Sequence, residues 1–246
     1  MYRLTYLREE TLWWYLGMNR LTDLLLDRAR LPRPAEILDA GCGTGGMLRR
    51  LARRGRVTGL DVSELALGYC RRRGERRLVR GSTTQLPFAD ASFDLVTSFD
   101  VLEMLLPPDH PAAFREFARV VRPGGRLLLR VPAYDWLRGH HDRATRAVHR
   151  FGRAEVERLL RAAGFGVERS SYAVAALFPA AVLKRAVDVL RPAPAGVVRT
   201  DFWAPPKLVN AALAALLDLE RALVRRGVDL PFGLSLVTLA RRADAR

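Results

Sequence analysis

Ile37-Leu38-Asp39-Ala40-Gly41-Cys42-Gly43-Thr44-Gly45-Gly46 is the stretch that decides how this 246-residue chain folds. A short apolar run enters it, and a helical pattern (Met47, Leu48, Leu51, Ala52) leaves it and breaks at Gly55. Strand, glycine loop and helix in that order let backbone N–H groups at a helix start come close to a ligand. The next apolar run, Arg56 to Asp61, ends on a carboxylate 20 residues beyond Gly41. From there an acid can accept both hydroxyls of a ribose. These residues alone leave the ligand open, because Gly41, Gly43 and Gly46 also satisfy the G-x-G-x-x-G spacing of dinucleotide sites. A bare glycine turn is the remaining alternative.

Outward from the loop, apolar runs alternate with amphipathic ones. Helical spacing over 9–30 carries Trp13, Trp14 and Tyr15 and stops at Leu31–Pro34. Ser63 is placed to cap a helix running to about Arg73, with Glu64 in its first turn. Strands are expected at 78–79, 93–98, 126–131, 165–171 and 234–240, and helices at 111–121 and 153–163. With the runs at 37–38 and 56–61 that makes seven strands. The alternation predicts an α/β, doubly wound, Rossmann-like and mostly parallel sheet covered on both faces. The expected organisation is one domain over 1–246. It comprises an N-terminal helical cap (1–34), a core (35–173), a helical insertion acting as a substrate lid (174–230) and a final strand (231–246).

Several further stretches resemble one family in the right order. Residues 37–45 are similar to the first motif of class I S-adenosylmethionine-dependent methyltransferases, and Gly59-Leu60-Asp61-Val62-Ser63 to their second. Residues 86–96, LPFADASFDLV, resemble a signature of the type 11 group, and Val121-Arg122-Pro123-Gly124-Gly125-Arg126-Leu127 resembles its turn into the fifth strand. The resemblance implies S-adenosylmethionine as cofactor and S-adenosylhomocysteine as product. It implies that Asp39, Gly41 and Gly43 border the methionine part, with Cys42 beside them. Asp61 and Val62 would meet the ribose, and Ser82, Thr83 and Leu86 would flank the adenine. Phe99 and Asp100 would face the sulfonium. Two departures stand out: Ser82 follows Gly81 where relatives often carry an acid, and Met104 stands where His is common.

Methyl transfer needs a nucleophile held in line with the methyl carbon, and a base helps when the acceptor is a hydroxyl. Candidates follow the fifth strand: Tyr134, then His140-His141-Asp142, then His149. His141 with Asp142 is the expected base and orienter. The ligand types in 140–149 would also suit a metal, but adjacent histidines rarely point one way, so no metal is expected. Apolar faces over 174–190 and 207–224, with Phe178, Phe202 and Trp203, suit a small or lipophilic acceptor. Arg185, Arg191 and Arg199 are placed to meet phosphate or membrane headgroups. Two alternatives are methylation of RNA and a cofactor-binding protein without turnover.

The chain carries a formal net charge of +15. Of its 41 basic residues only Lys184 and Lys207 are lysines, a bias that a GC-rich coding sequence produces by itself. Between 45 and 80 eleven arginines face three acids, which reads as a solvated surface rather than a substrate signal. Nucleic acid is therefore not expected as a partner, peripheral membrane contact is left open, and the chain is expected to be a monomer or homodimer. Two cysteines make no disulfide framework and point to a reducing cytoplasm. No signal peptide or membrane span is expected.

Overall fold

A computed structural model describes residues 2–190 and 205–244. Seven strands form one sheet: β1 (Ala35–Ala40), β2 (Gly55–Asp61), β3 (Leu78–Arg80), β4 (Phe93–Phe99), β5 (Val121–Pro132), β6 (Phe165–Ala173) and β7 (Ser235–Arg242). Their order is β3-β2-β1-β4-β5-β7-β6. The first five run parallel, and β7 is antiparallel to both β5 and β6. The sheet is thus mixed, as the mostly parallel expectation allows.

Burial on both faces explains the near-continuous apolar strands. Along β1, Leu38 and Ala40 join Phe114 and Phe117 of α5 (His110–Val120) and Leu160 of α7 (Arg153–Ala162). Ala35 and Ile37 point the other way, toward Met18, Leu21 and Leu25 of α2 (Trp13–Arg28). Beside β2, α3 (Leu48–Leu51) and α4 (Glu64–Arg72) close the first half of the sheet. Ser63 caps α4 as expected, its Oγ accepting the Ala66 N–H at 3.4 Å.

Two boundaries differ from the sequence reading. The helical spacing over 9–30 begins only at Trp13, as α2, and a separate α1 (Tyr2–Arg8) precedes it, so Glu9 falls between helices. The fifth strand begins at Val121 rather than 126, because Val121 pairs with Phe93 before an irregularity in the ladder. The expected lid also divides. Its helix α8 (Phe178–Leu190) has no buried residue, whereas α9 (Lys207–Arg225) packs along α2. Leu217 lies so close to Gly17 that a Cβ there would meet its Cδ1 at 2.3 Å. In 207–224, Ala214, Leu217 and Val224 are buried, so part of its apolar face is core wall. Phe202, Trp203, Arg191 and Arg199 lie outside the described residues.

The buried Glu220 of α9 fastens this wall to the end of β6. Its carboxylate accepts the Val174 N–H at 2.7 Å and the Ala176 N–H at 2.9 Å. Glu220→Ala leaves both amides without their acceptor, which costs about 2–4 kcal/mol. A lower thermal midpoint with unchanged cofactor affinity is expected, measured by calorimetric unfolding and titration.

Candidate active site

The sheet order reverses between β1 and β4, and the crevice outside their C-terminal ends is where open α/β sheets bind ligands. Register brings Ala40 beside Leu60, and Phe99 beside Arg130, along that edge. The glycine loop leaves β1 here. Gly41 has φ +92°, and a Cβ on it would lie 2.2 Å from Cγ2 of Val101, so only glycine fits. Asp61 fixes the loop from the next strand: its Oδ2 accepts the Gly43 N–H at 2.9 Å and its Oδ1 the Ser63 N–H at 2.9 Å.

Around this loop lies a cavity of about 340 Å³. Asp39, Gly41, Cys42, Gly43, Asp61, Val62, Ser82, Thr83, Phe99 and Asp100 all line it. Leu86 does not. Its side chain is buried in the core with Leu60 and Phe93, and its backbone N–H donates to Glu116 Oε2 at 2.6 Å. Glu116 and Arg119 brace the turn that directs Leu86 inward, so it stands apart from the other residues expected around the cofactor.

Four lining residues, unforeseen from sequence or expected in another role, shape the cavity electrostatically. Glu9, held in the α1–α2 turn, accepts from Thr44 Oγ1 at 2.5 Å and pairs with Arg73 at 2.7 Å. Burial raises its carboxyl above the ordinary range, against the opposing pull of Thr44 and Arg73. Burial pushes Asp39 up to about 6, opposed by the Thr97 hydroxyl that donates to it at 2.7 Å. Asp61 is also raised by burial, opposed by the amides of Ser63, Gly43 and Val62. Arg130, a buried cation on β5, sits 4.7 Å from the Trp14 ring centroid and donates from Nε to Asp100 Oδ2 at 2.8 Å. Its Nη1 is buried without a partner. A lone cation inside the apolar run of β5 was the signal for it, since buried arginines are nearly always paired.

Eight of the eleven arginines around 45–80 are exposed, as expected, and Arg73 is an exception. Its side chain is 8% exposed, donates to the Thr44 and Tyr6 carbonyls at 3.0 Å each, and pairs with Glu9 and Glu10. Arg54, 16% exposed, likewise pairs with Asp23 and Asp27 of α2.

A second cavity of about 370 Å³ shares Tyr15, Asp100 and Met104 with the first. Trp13, Trp14, Leu137, Val174, Ala181 and Leu234 make its apolar wall. Its polar lining includes Glu103, His140, His141, Asp142 and Arg150, with Lys184, Arg185 and Asp188 from α8. The catalytic candidates do not all converge here. His141 and Asp142 line the cavity from α6 (His140–Thr145). Asp142 accepts from Arg150 Nε at 2.6 Å, Arg150 Nη2 at 3.0 Å and the Gly139 N–H at 2.7 Å. Burial acts to raise it, but Arg150, Gly139 and His141 together hold it below the ordinary carboxylate range. Its oxygens are thus committed to Arg150 and the start of α6.

Tyr134 and His149 line neither cavity. Tyr134 stacks on Tyr172 with centroids 5.2 Å apart, and burial with that neighbour raises its phenol. His149 lies 2.9 Å from Glu155 and packs edge-on against Phe151. The structure places both in packing and hydrogen-bonding contacts outside the two cavities. Among the described residues His110, His149 and Glu155 bring ligand atoms within 4.8 Å, a different set from 140–149. His110 Nε2 is 3.0 Å from the Leu102 carbonyl, so one ring nitrogen is already engaged.

Residues 38–129 match a family model described as a methyltransferase domain. A Mycolicibacterium smegmatis protein described as a probable S-adenosylmethionine-dependent methyltransferase is 37% identical over 139 residues, covering 54% of this chain and 52% of its own. An Erwinia pyrifoliae malonyl-[acyl-carrier protein] O-methyltransferase is 41% identical over 106 residues, covering 42% of this chain and 40% of its own. The chain thus spans about half or less of these relatives' length. A solved chain from the Haloferax volcanii complex between the Trm112 methyltransferase activator and a methyltransferase superposes with TM-score 0.60. It is 23% identical and covers 97% of this chain and 92% of its own, which is a likeness of fold. With the ordered motifs and the strand order, residues 38–129 are similar to S-adenosylmethionine-dependent methyltransferases, in a fold that solved methyltransferases share. That similarity implies S-adenosylmethionine as the cofactor.

The residues present suit that cofactor. Three buried carboxyls raised by burial favour a cationic ligand, and the orphaned Arg130 Nη1 offers a donor to a carboxylate. Asp61→Ala is expected to weaken S-adenosylhomocysteine binding at least tenfold by titration calorimetry; unchanged affinity would contradict the assignment. Wild-type affinity should also fall as pH drops through about 6, where Asp39 takes up a proton. Stability of the free protein runs the other way. Because Asp39 is raised from 3.8 to about 6, its stabilising contribution is full below that ordinary value and is lost as pH rises through about 6.

Proposed function

We propose that this chain transfers a methyl group from S-adenosylmethionine to a small lipophilic acceptor by in-line displacement. One observation carries the reading: the glycine-loop cavity and the apolar cavity share a wall at Tyr15, Asp100 and Met104. When bound, the cofactor supplies an electrophilic methyl on a sulfonium. Asp61 accepts the ribose hydroxyls, Ser82 and Thr83 border the adenine, and Arg130 Nη1 meets the methionine carboxylate. Asp39 and Glu9 keep the cavity negative around the ammonium. Asp100 stands at the shared wall, with Phe99 on its cofactor side, on the line a nucleophile must take to come within about 3–3.5 Å of the methyl carbon.

Trp13 and Trp14 exclude water from the acceptor side, and His141 faces the acceptor. The apolar lining supports a lipophilic body, and Lys184 and Arg185 at the α8 side support a polar or anionic end. The Erwinia relative, named as an O-methyltransferase, supports oxygen as the acceptor atom. On α8, Leu183 and Leu190 are 68% and 80% exposed beside those cations, which supports peripheral contact with a membrane surface. A cytoplasmic setting is supported by two buried free thiols, Cys42 and Cys70. Among the described residues no helix is long and apolar enough to cross a membrane.

Incubation with methyl-labelled cofactor and cell extract is expected to label an organic-extractable product. Label confined to RNA, or no transfer by a protein that binds the cofactor, would overturn the acceptor class or the activity respectively. His141→Ala should leave cofactor affinity unchanged and lower transfer about tenfold, the lower part of what a positioned polar group contributes; wild-type rates would remove it from the site.

A further inference from the structure

Glu103 occupies a short 3-10 turn, Leu102–Met104, just beyond the shared wall, and lines the acceptor cavity. It is 5% exposed, and its Oε2 has no hydrogen-bond partner. Its backbone is tied down, since its carbonyl accepts the Val148 N–H at 2.7 Å and the His149 N–H at 3.3 Å. A fixed main chain thus presents an unpaired carboxyl to the cavity, unlike Asp142, whose oxygens Arg150 and Gly139 occupy. A buried, unpaired carboxylate is costly, so the group is held neutral or given a cationic neighbour. Burial raises it well above the ordinary carboxyl range and Asp100 adds to this, while its own backbone amide, Arg130 and Arg150 act against it.

We propose that Glu103 is the group that receives the acceptor's proton, surrendering its own when the cofactor's positive charge enters the neighbouring cavity. The proposal rests on the methyl-transfer reading above. It makes the acceptor an alcohol or phenol, because a carboxylate acceptor has no proton to give. In the step, the acceptor oxygen forms a bond to the methyl carbon as the sulfur–methyl bond breaks. Sulfur keeps that electron pair and becomes a neutral thioether. The hydroxyl proton passes to the Glu103 carboxylate, so one cation and one anion become neutral together and no further reactant is required.

Other titratable groups face the same space. Tyr15 comes from α2, and its phenol is pushed up to about 12 by burial, so it stays a neutral donor at physiological pH. His140, His141 and Asp142 come from α6, and Arg150 from the following loop. Lys184, Arg185 and Asp188 come from α8. Of the carboxylates among these, Asp142 has both oxygens on Arg150, and Asp188 lies 3.3 Å from Lys184. Asp100 is paired with Arg130. Glu103 alone of the four has a buried oxygen without a partner among the described residues.

The test is titration calorimetry of the full chain with S-adenosylmethionine and with S-adenosylhomocysteine, each at pH 7 in buffers of different ionisation enthalpy. Both share the amino-acid and nucleoside parts, and only the first carries the sulfonium charge. The proposal expects a release of up to about one proton per site with S-adenosylmethionine and markedly less with S-adenosylhomocysteine, with the difference lost in Glu103→Gln. Equal proton counts, or a difference that survives in Glu103→Gln, would overturn it. Label transfer into the extract acceptors should fall about 100-fold in Glu103→Gln and recover in part in Glu103→Asp, with cofactor affinity largely kept. Full transfer by Glu103→Gln would also overturn it. Failure of the wild-type chain to bind either cofactor form would instead overturn the functional reading. Glu103→Gln should fold at least as stably as wild type at pH 8. A raised carboxyl gives its full stability at low pH and loses it as pH rises, and the amide has no such loss.

Discussion

Arg130 puts a full positive charge into a strand whose neighbours Leu127, Leu128, Leu129 and Val131 are all buried and apolar, and both cavities are arranged around how that charge is held. Asp100 takes it from the adjacent strand end, in a backbone conformation with φ +55° that turns the chain sharply out of β4. Trp14 and Phe99 cover it, with ring centroids 4.7 and 5.0 Å from the guanidinium carbon. A buried ion pair gains from the low dielectric only when its remaining donors are satisfied. One nitrogen is not, on a residue that lines the glycine-loop cavity, where a ligand carboxylate would complete it. The pair thereby serves as wall, anchor and spacer between two binding volumes.

A second constraint comes from the N-terminus. Without Arg73 the glycine loop would be open on its outer side. With it, Tyr6, Glu9, Glu10 and Thr44 converge on one guanidinium. Arginine suits this role because its planar fork donates in several fixed directions at once. The excess of arginine in the composition therefore hides two populations. Some, such as Arg71 at 54% side-chain exposure, belong to the surface, whereas the half-buried Arg54 and Arg73 and the buried Arg130 are joints. Composition cannot separate them, since the difference lies in which acids the fold brings opposite.

Legibility from sequence followed the range of the interactions. The glycine loop, Asp61 and the Ser63 cap are set by contacts within one strand–loop–helix unit, and they were readable residue by residue. In the β3–β4 connection the inward position of Leu86 is not legible locally, because its backbone N–H donates to Glu116, 30 positions away. The histidine-rich segment divides for the same reason. His141 reaches the acceptor cavity, while His149 is drawn off by Glu155 and Phe151. Glu103 left no pattern at all: one acid in a short turn looks solvated until its surroundings are known.

The sequence by itself determined the alternation of strands and helices, the glycine loop with the acid that ends the next strand, and hence the likeness to methyltransferases and the cofactor it implies. These follow from side-chain periodicity and from local backbone needs that only particular residues meet. The tertiary structure alone decided which arginines are buried, that α9 is core while α8 borders the acceptor cavity, and that Glu103 faces it unpaired. Those are matters of burial and of partners distant in sequence, and charge acquires its chemical character from the groups that surround it.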